Sequence, residues 1–442
     1  VERGILLLCV DSLIKKLSSS RSVWRLSGSL GSKLGGTVAL FLFQVLLARL
    51  GGAEGSGLYW LAYAIMSTAT IFARLGIDTS CIRQIAGAKT TADWGWISQY
   101  SNRAFRIVAK AGFCSMAGLL LVSIILRILK PGVLPPVLEV ISLAIVPFSL
   151  MMLHTEMLRA LGAQNSALAI QWILAPALSM VFMKPFHSLW GVPGVAAAYV
   201  LSISLCCALS VGLWKRSVGK YPREVPAAEF PSDREIITIA RPLMLVASIF
   251  LVNGWISTWV LGIFCTPYDI GLFNAAQKLG AFTSIILIAA NAAMGPTYAT
   301  LFRQGNLVQL ARTARRTTLA IGLLTVPVVL ALTLFSPIFL GLFGRDFLAA
   351  DAALKLIVLG QLVNVATGPV GNLLVMTGNE TAQRNSISAG VVTSVFLNLL
   401  LVPNFGIIGA AVAMVCGGIM MQIIATYHVN KRLNMSIGFF KF

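Results

Sequence analysis

Twelve weakly charged apolar runs recur along the whole chain, each close to the ~20 residues that cross a bilayer as a helix. They occupy residues 33–50, 57–77, 106–128, 138–159, 166–186, 192–214, 241–264, 270–298, 317–340, 351–376, 385–402 and 407–428. "GGTVALFLFQVLLA", "AGLLLVSIILRIL" and "GIIGAAVAMVCGGIMMQIIATY" are typical. The apolar residues are continuous rather than alternating, which selects helices over a barrel, because a lipid-exposed backbone must satisfy its own hydrogen bonds. With 57% hydrophobic and only 11% charged residues, the chain holds more apolar side chain than a soluble core could hide. The expected fold is an all-α integral membrane protein of about twelve spanning helices.

The net charge of +19 invites a nucleic-acid reading, but its placement argues against one. Of the 34 Lys and Arg residues, 27 fall on one side of the twelve spans and 6 on the other, with Lys278 inside a span. That asymmetry is the positive-inside rule, and it predicts that both termini are cytoplasmic. The seven cysteines have no metal-ligand spacing and read as small hydrophobes. "GILLLCV" is too short for a signal peptide, so residues 1–32 read as a basic cytoplasmic arm. No phosphate-binding Gly-x-x-x-x-Gly-Lys loop and no Ser/His/Asp set occurs, so no cofactor, metal or enzymatic chemistry is expected.

The chain is doubled. "WGVPGVAAAYV" from Trp190 and "FGIIGAAVAMV" from Phe405 share Gly-x-x-Gly-x-Ala-x-Ala at an offset of 215. "GLYWLAYA" from Gly57 matches "GLFNAAQK" from Gly271, and "LGAQNSALA" around Gly162 matches "TGNETAQRN" around Gly378. Three anchors in the same order at a near-constant offset imply a duplicated six-helix unit. Six is even, so both copies start on the same side and the repeats are parallel. The expected organisation is an arm (1–32), a first bundle (33–214), a charged linker (215–240), a second bundle (241–428) and a tail (429–442).

Particular residues narrow the class. "LLARLGGAEGSGLYWLAYAI" followed by "ARLGIDTSCIRQIA", then "ARPLMLVASIFLVNGWISTWVLGIFCTPYDIGLFNAAQKL" and finally "GIIGAAVA", resembles the polysaccharide-export flippases of the multidrug/oligosaccharidyl-lipid/polysaccharide exporter superfamily. The likeness runs over about residues 30–430. It implies two six-helix bundles facing a central cavity and alternating access. It also implies translocation of a polyprenyl-pyrophosphate oligosaccharide across the bacterial inner membrane, for surface polysaccharide such as O-antigen. The implied partners are that lipid-linked oligosaccharide, membrane lipids, and glycan polymerase or glycosyltransferases, around a monomeric transporter. A multidrug antiporter of the same superfamily and a non-transporting scaffold for glycan enzymes are the alternatives. Drug antiport calls for a membrane-buried carboxylate, and spans one and seven have none.

A cargo with an anionic head asks for cations and amides inside the membrane, where a charge costs about 2.5–3.5 kcal/mol to insert. Lys278 lies two turns into span eight, with Asn274 one turn earlier and Gln277 beside it. It either faces the cavity or snorkels to the interface. Gln361, Asn364, Gly368 and Asn372 make one stripe on span ten, and Asn253 lies in span seven. Each amide reads as a cargo contact or as interhelical glue. His154, Glu156 and Arg159, near the end of span four, read as an interfacial pair or as a cytoplasmic gate or ion-coupling group.

Overall fold

The computed structural model describes residues 21–129, 132–219, 232–433 and 435, and among these every regular element is helical. In chain order they are α1 (Arg21–Arg74), α2 (Ile77–Thr90), α3 (Trp94–Leu129), α4 (Leu134–Ser142), α5 (Ile145–Ala160), α6 (Gln164–Trp190), α7 (Val192–Val218) and α8 (Asp233–Phe264). There follow α9 (Pro267–Arg303), α10 (Leu307–Leu334), α11 (Ser336–Gly341), α12 (Asp351–Thr367), α13 (Val370–Met376) and α14 (Glu380–Leu433). Nine helices among the described residues are long and apolar enough to cross a membrane, ten with the bent pair α4 and α5. Two of the nine, α1 and α14, are each two limbs joined at a non-helical glycine, Gly52 and Gly406, so the crossings number twelve.

The expected ends of the bundles move outward. The first helix already begins at Arg21, α7 runs on to Val218, and α14 reaches Leu433. Each runs past the ~20 residues a crossing needs, and α7 and α14 finish in basic turns (Lys215, Arg216; Lys431, Arg432) that complement the negative end of a helix dipole. Residues 1–20 of the arm, with Cys9, 220–231 of the linker, and 434 and 436–442 of the tail lie outside the described residues.

The doubled motifs share backbone geometry. Gly191 (φ 63°, ψ −137°) and Gly406 (φ 51°, ψ −128°) make the same sharp turn between two antiparallel helices. Three residues on, a Cβ at Gly194 would sit 2.0 Å from the Phe186 carbonyl, and one at Gly409 2.6 Å from that of Leu401. The repeated Gly-x-x-Gly is therefore one residue to turn and one to let the returning helix close on its partner. Gly406→Ala should destabilise the last hairpin by about 1–3 kcal/mol, since that φ/ψ region is nearly closed to L-residues. Gly418→Ala, on the same helix in open space, should change little. Thermal unfolding of the two variants in detergent reads the difference.

Gly57 and Gly271 are also counterparts in the two halves, and they meet. A Cβ on Gly57 would lie 1.7 Å from the Pro267 carbonyl oxygen and 2.8 Å from the Gly271 nitrogen; one on Gly271 would lie 2.0 Å from the Ala53 carbonyl oxygen. The second limb of α1 and the start of α9 thus cross backbone to backbone. Residues 57–62 and 270–276 are buried throughout. Arg49 Nε donates to the Leu342 carbonyl (2.8 Å) and Tyr268 Oη to that of Asp346 (3.2 Å) at the same end. Towards the other end, which carries the linker, α8 exposes Val246 and Phe250, and α9 exposes Ile288. The halves touch again at the linker end, where Gly76 (φ 77°) admits the Ala240 carbonyl and the Met244 nitrogen of α8.

Candidate functional site

Thr266 and Asp269 cap α9 reciprocally: the Asp269 N–H donates to Thr266 Oγ1 (3.4 Å) and the Thr266 N–H to Asp269 Oδ2 (3.1 Å). This commits the acid nearest to Lys278 in sequence to the helix end. Lys278 follows Gly271 by seven residues, about 10 Å along the helix. Its ammonium lies 5.0 Å from the Trp60 ring of α1 and 5.6 Å from the Trp255 ring of α8. Trp60 and Trp255 stack (6.1 Å, 27°), with Tyr63 at 5.6 and 5.5 Å from them and Tyr199 of α7 beyond it at 5.6 Å. A cation over two indole faces is held by their quadrupoles, worth ~2 kcal/mol when desolvated, which offsets part of its insertion cost. The Trp60 indole N–H is buried without an acceptor.

No carboxylate among the described residues pairs with Lys278. The two buried carboxylates each have a cation: Asp78 takes Arg74 at 2.7 Å and Glu156 takes Arg159 at 2.6 Å. Glu139 pairs with Arg127 and Asp351 with Lys355. Among the described residues these acids are thus each paired with a local base, and none is left for Lys278.

The amides divide. Asn274 is fully buried and ties α9 to α8, its Nδ2 donating to the Ile270 carbonyl (2.9 Å) and to Thr258 Oγ1 (3.4 Å). It is sealed between the two helices in this structure. Gln277 reaches α14, donating to Met414 Sδ at 3.6 Å. Asn253 is exposed, two residues and so roughly opposite from Trp255 on α8; it does not join the Lys278 group. The span-ten stripe is interrupted. Gly368 (φ 74°, ψ −155°) ends α12, and a Cβ there would strike Thr318 Oγ1 at 2.1 Å, so Asn372 sits on the separate α13. Above the break Gln361 Oε1 accepts from Ser284 and Asn364 (3.3 Å each), and Asn364 accepts from Gln422 of α14. Below it Asn372 donates to the Asn291 carbonyl (3.1 Å). These amides link α9, α12, α13 and α14.

Glu156, Arg159 and Gln171 form one group, with Gln171 Nε2 donating to Thr155 Oγ1 (2.6 Å) and Glu156 Oε1 (3.3 Å). His154 stands apart, its Nδ1–H donating to the Leu150 carbonyl (2.7 Å) and its ring against Phe105. Trp60, Tyr63, Trp255 and Gln422 were not singled out from sequence. A tryptophan at mid-span rather than at the interface, Trp255, was the available signal.

A protein family described as "Polysaccharide biosynthesis protein" matches residues 28–302, more than half of the chain. The "Probable low-salt glycan biosynthesis flippase Agl15" of Haloferax volcanii is 22% identical over 224 residues, 50% of this chain and 46% of that protein. The match therefore spans less than half of that relative's length. Among solved structures, the inward-facing conformation of a multidrug resistance MATE family transporter of the MOP superfamily aligns with a TM-score of 0.72 at 17% identity, over 90% of this chain and 94% of that one. The lipid II flippase MurJ, in an inward closed conformation, aligns with a TM-score of 0.68 at 13% identity, over 90% and 86%. Both share the two-lobe helical fold.

Proposed function

Because the chain belongs to the polysaccharide biosynthesis protein family, we propose that it is a flippase that moves a lipid-linked oligosaccharide across a cell membrane by alternating access. The observation that carries this reading is Lys278, a cation inside the span with aromatic but no acidic neighbours. A polyprenyl-pyrophosphate head supplies the missing anion, and the Trp60 N–H offers a neutral donor beside it. The crossing of Gly57 and Gly271 closes one face in this conformation. The sequence reading of a bacterial inner membrane, cytoplasmic termini, first and second bundles at 33–214 and 241–428, and a monomer served by glycosyltransferases or a polymerase belongs to the same proposal. The named flippase relative is archaeal. Drug antiport fits less well, since both buried carboxylates are already paired.

The test is flipping of a polyprenyl-pyrophosphate oligosaccharide in proteoliposomes. Lys278→Ala should lower the rate at least tenfold at unchanged protein level, and Lys278→Arg should retain part of it, because a point charge matters here more than fork geometry. Normal flipping by Lys278→Ala would reduce Lys278 to an anchor. Export of a cationic dye with no glycan movement would favour the antiporter.

A further inference from the structure

Lys278 rests on ring faces, and those faces can hold more than a cation. Trp60 of α1 and Trp255 of α8 come from opposite halves of the chain and lie nearly parallel, their rings 6.1 Å apart at 27°. Trp60 stands three residues past Gly57, so the pair bridges the seam just inside the backbone crossing. Tyr63 borders both indoles at 5.6 and 5.5 Å. The Trp60 side chain is only 6% exposed, yet its N–H has no acceptor. Packing alone gives no reason to bury an unpaired donor, since a phenylalanine would supply a ring without that cost.

The chemistry of the group limits its ligand. Aromatic cages commonly receive a cation, but Lys278 already fills that role at 5.0 and 5.6 Å and repels a second. A ligand must bring an anion to Lys278 and, within a ring's breadth of it, an apolar face with polar edges. A hexose esterified to phosphate does both. Its axial C–H groups make the face, its hydroxyls make the rim and can accept from the Trp60 N–H, and its phosphate is bonded directly to the ring. We propose that Trp60 and Trp255 are the two jaws of a sugar clamp, which reads the first sugar of the cargo, the one joined to the pyrophosphate. In this structure the jaws are closed on each other, and rings already in stacking contact leave no room for a hexose between them. The sugar enters as the halves part. Only then does it touch both indoles, so its binding favours the parted state. The inference rests on the flippase reading and adds which part of the glycan is recognised. Sugars further along lie beyond the jaws.

The probes are short esters of equal charge: geranyl diphosphate carrying on its second phosphate either a methyl group or an α-linked glucose or N-acetylglucosamine. Each is bound to the full-length protein in nanodiscs. At least one sugar ester should bind about tenfold more tightly than the methyl ester, the order of one aromatic stacking contact. Trp255→Leu should bring that ratio close to one. Its methyl-ester affinity should stay within about threefold of wild type and still fall with Lys278→Ala, because Trp60 remains under the ammonium. Trp255→Tyr should keep part of the ratio, since it keeps a ring. A second readout needs no loss of packing. The near-ultraviolet circular dichroism of the stacked indoles, identified as the component missing from Trp255→Tyr, should vanish when wild type binds the sugar ester and survive the methyl ester. Equal, Lys278-dependent binding of methyl and sugar esters would overturn the clamp and leave the flippase reading standing. So would a sugar preference that Trp255→Leu retains. Absence of saturable, Lys278-dependent binding of any ester removes the flippase reading itself and the clamp with it.

Discussion

Gly57→Leu is expected to abolish transport while leaving the protein in the membrane. Its Cβ would fall 1.7 Å from a backbone oxygen on α9, and a backbone atom cannot swing aside as a side chain can. The crossing must open, and with it the end that residues 57–62 and 270–276 bury. Overpacking of this kind costs about 1–3 kcal/mol, and direct backbone contact puts it at the upper end. A shift of ~3 kcal/mol lowers the population of the closed state on the order of a hundredfold. In a background with the native cysteines replaced by serine, Ala276→Cys is buried and should resist a membrane-impermeant maleimide. It should be labelled once Gly57→Leu is added. Gly271→Leu should behave alike. Wild-type flipping with Ala276→Cys still protected would show that the crossing is not a closure.

Arg74→Met should be the most destabilising single change away from that crossing. Arg74 holds the buried Asp78 at 2.7 Å, donates through Nε to the Thr70 carbonyl and lies over the Phe148 ring. Removing it strands a carboxylate, a loss of about 3–5 kcal/mol. Asp78→Leu added to Arg74→Met should recover most of that loss, because the pair's desolvation disappears along with its attraction. Unfolding of the two singles and the double in detergent gives the coupling. A double variant no more stable than Arg74→Met would place the cost elsewhere, in the contact with Phe148.

Much of this was readable in the chain because it is local. Apolar runs placed the crossings to within a turn or so in most cases, and the repeat anchors at Gly162 and Gly378 and at Gly191 and Gly406 all have positive φ. The short helix α2 was readable too but passed over. Ile77, Cys81 and Ile85 recur every four residues and are its buried stripe. What escaped is pairwise and distant. Lys278 meets Trp60 across more than two hundred residues, and no period relates them. The Gly368 break was hidden because glycine is ordinary in membrane helices; its positive φ and the nearness of Thr318 make it obligatory. Asn274 and Lys278 share a helix face in sequence, yet one is sealed against α8 and the other rests on indole rings.

Most contacts in a protein leave room for bargaining between partners: a large residue shrinks on one side and its neighbour grows. The crossing of Gly57 and Gly271 leaves none. Both members already lack a side chain, so a gain on either helix has no matching loss available on the other. Two copies of a gene segment are usually free to diverge, since each can cover for the other. Here duplication does the reverse at one position, binding both copies to glycine because each helix presses on the backbone of the other there.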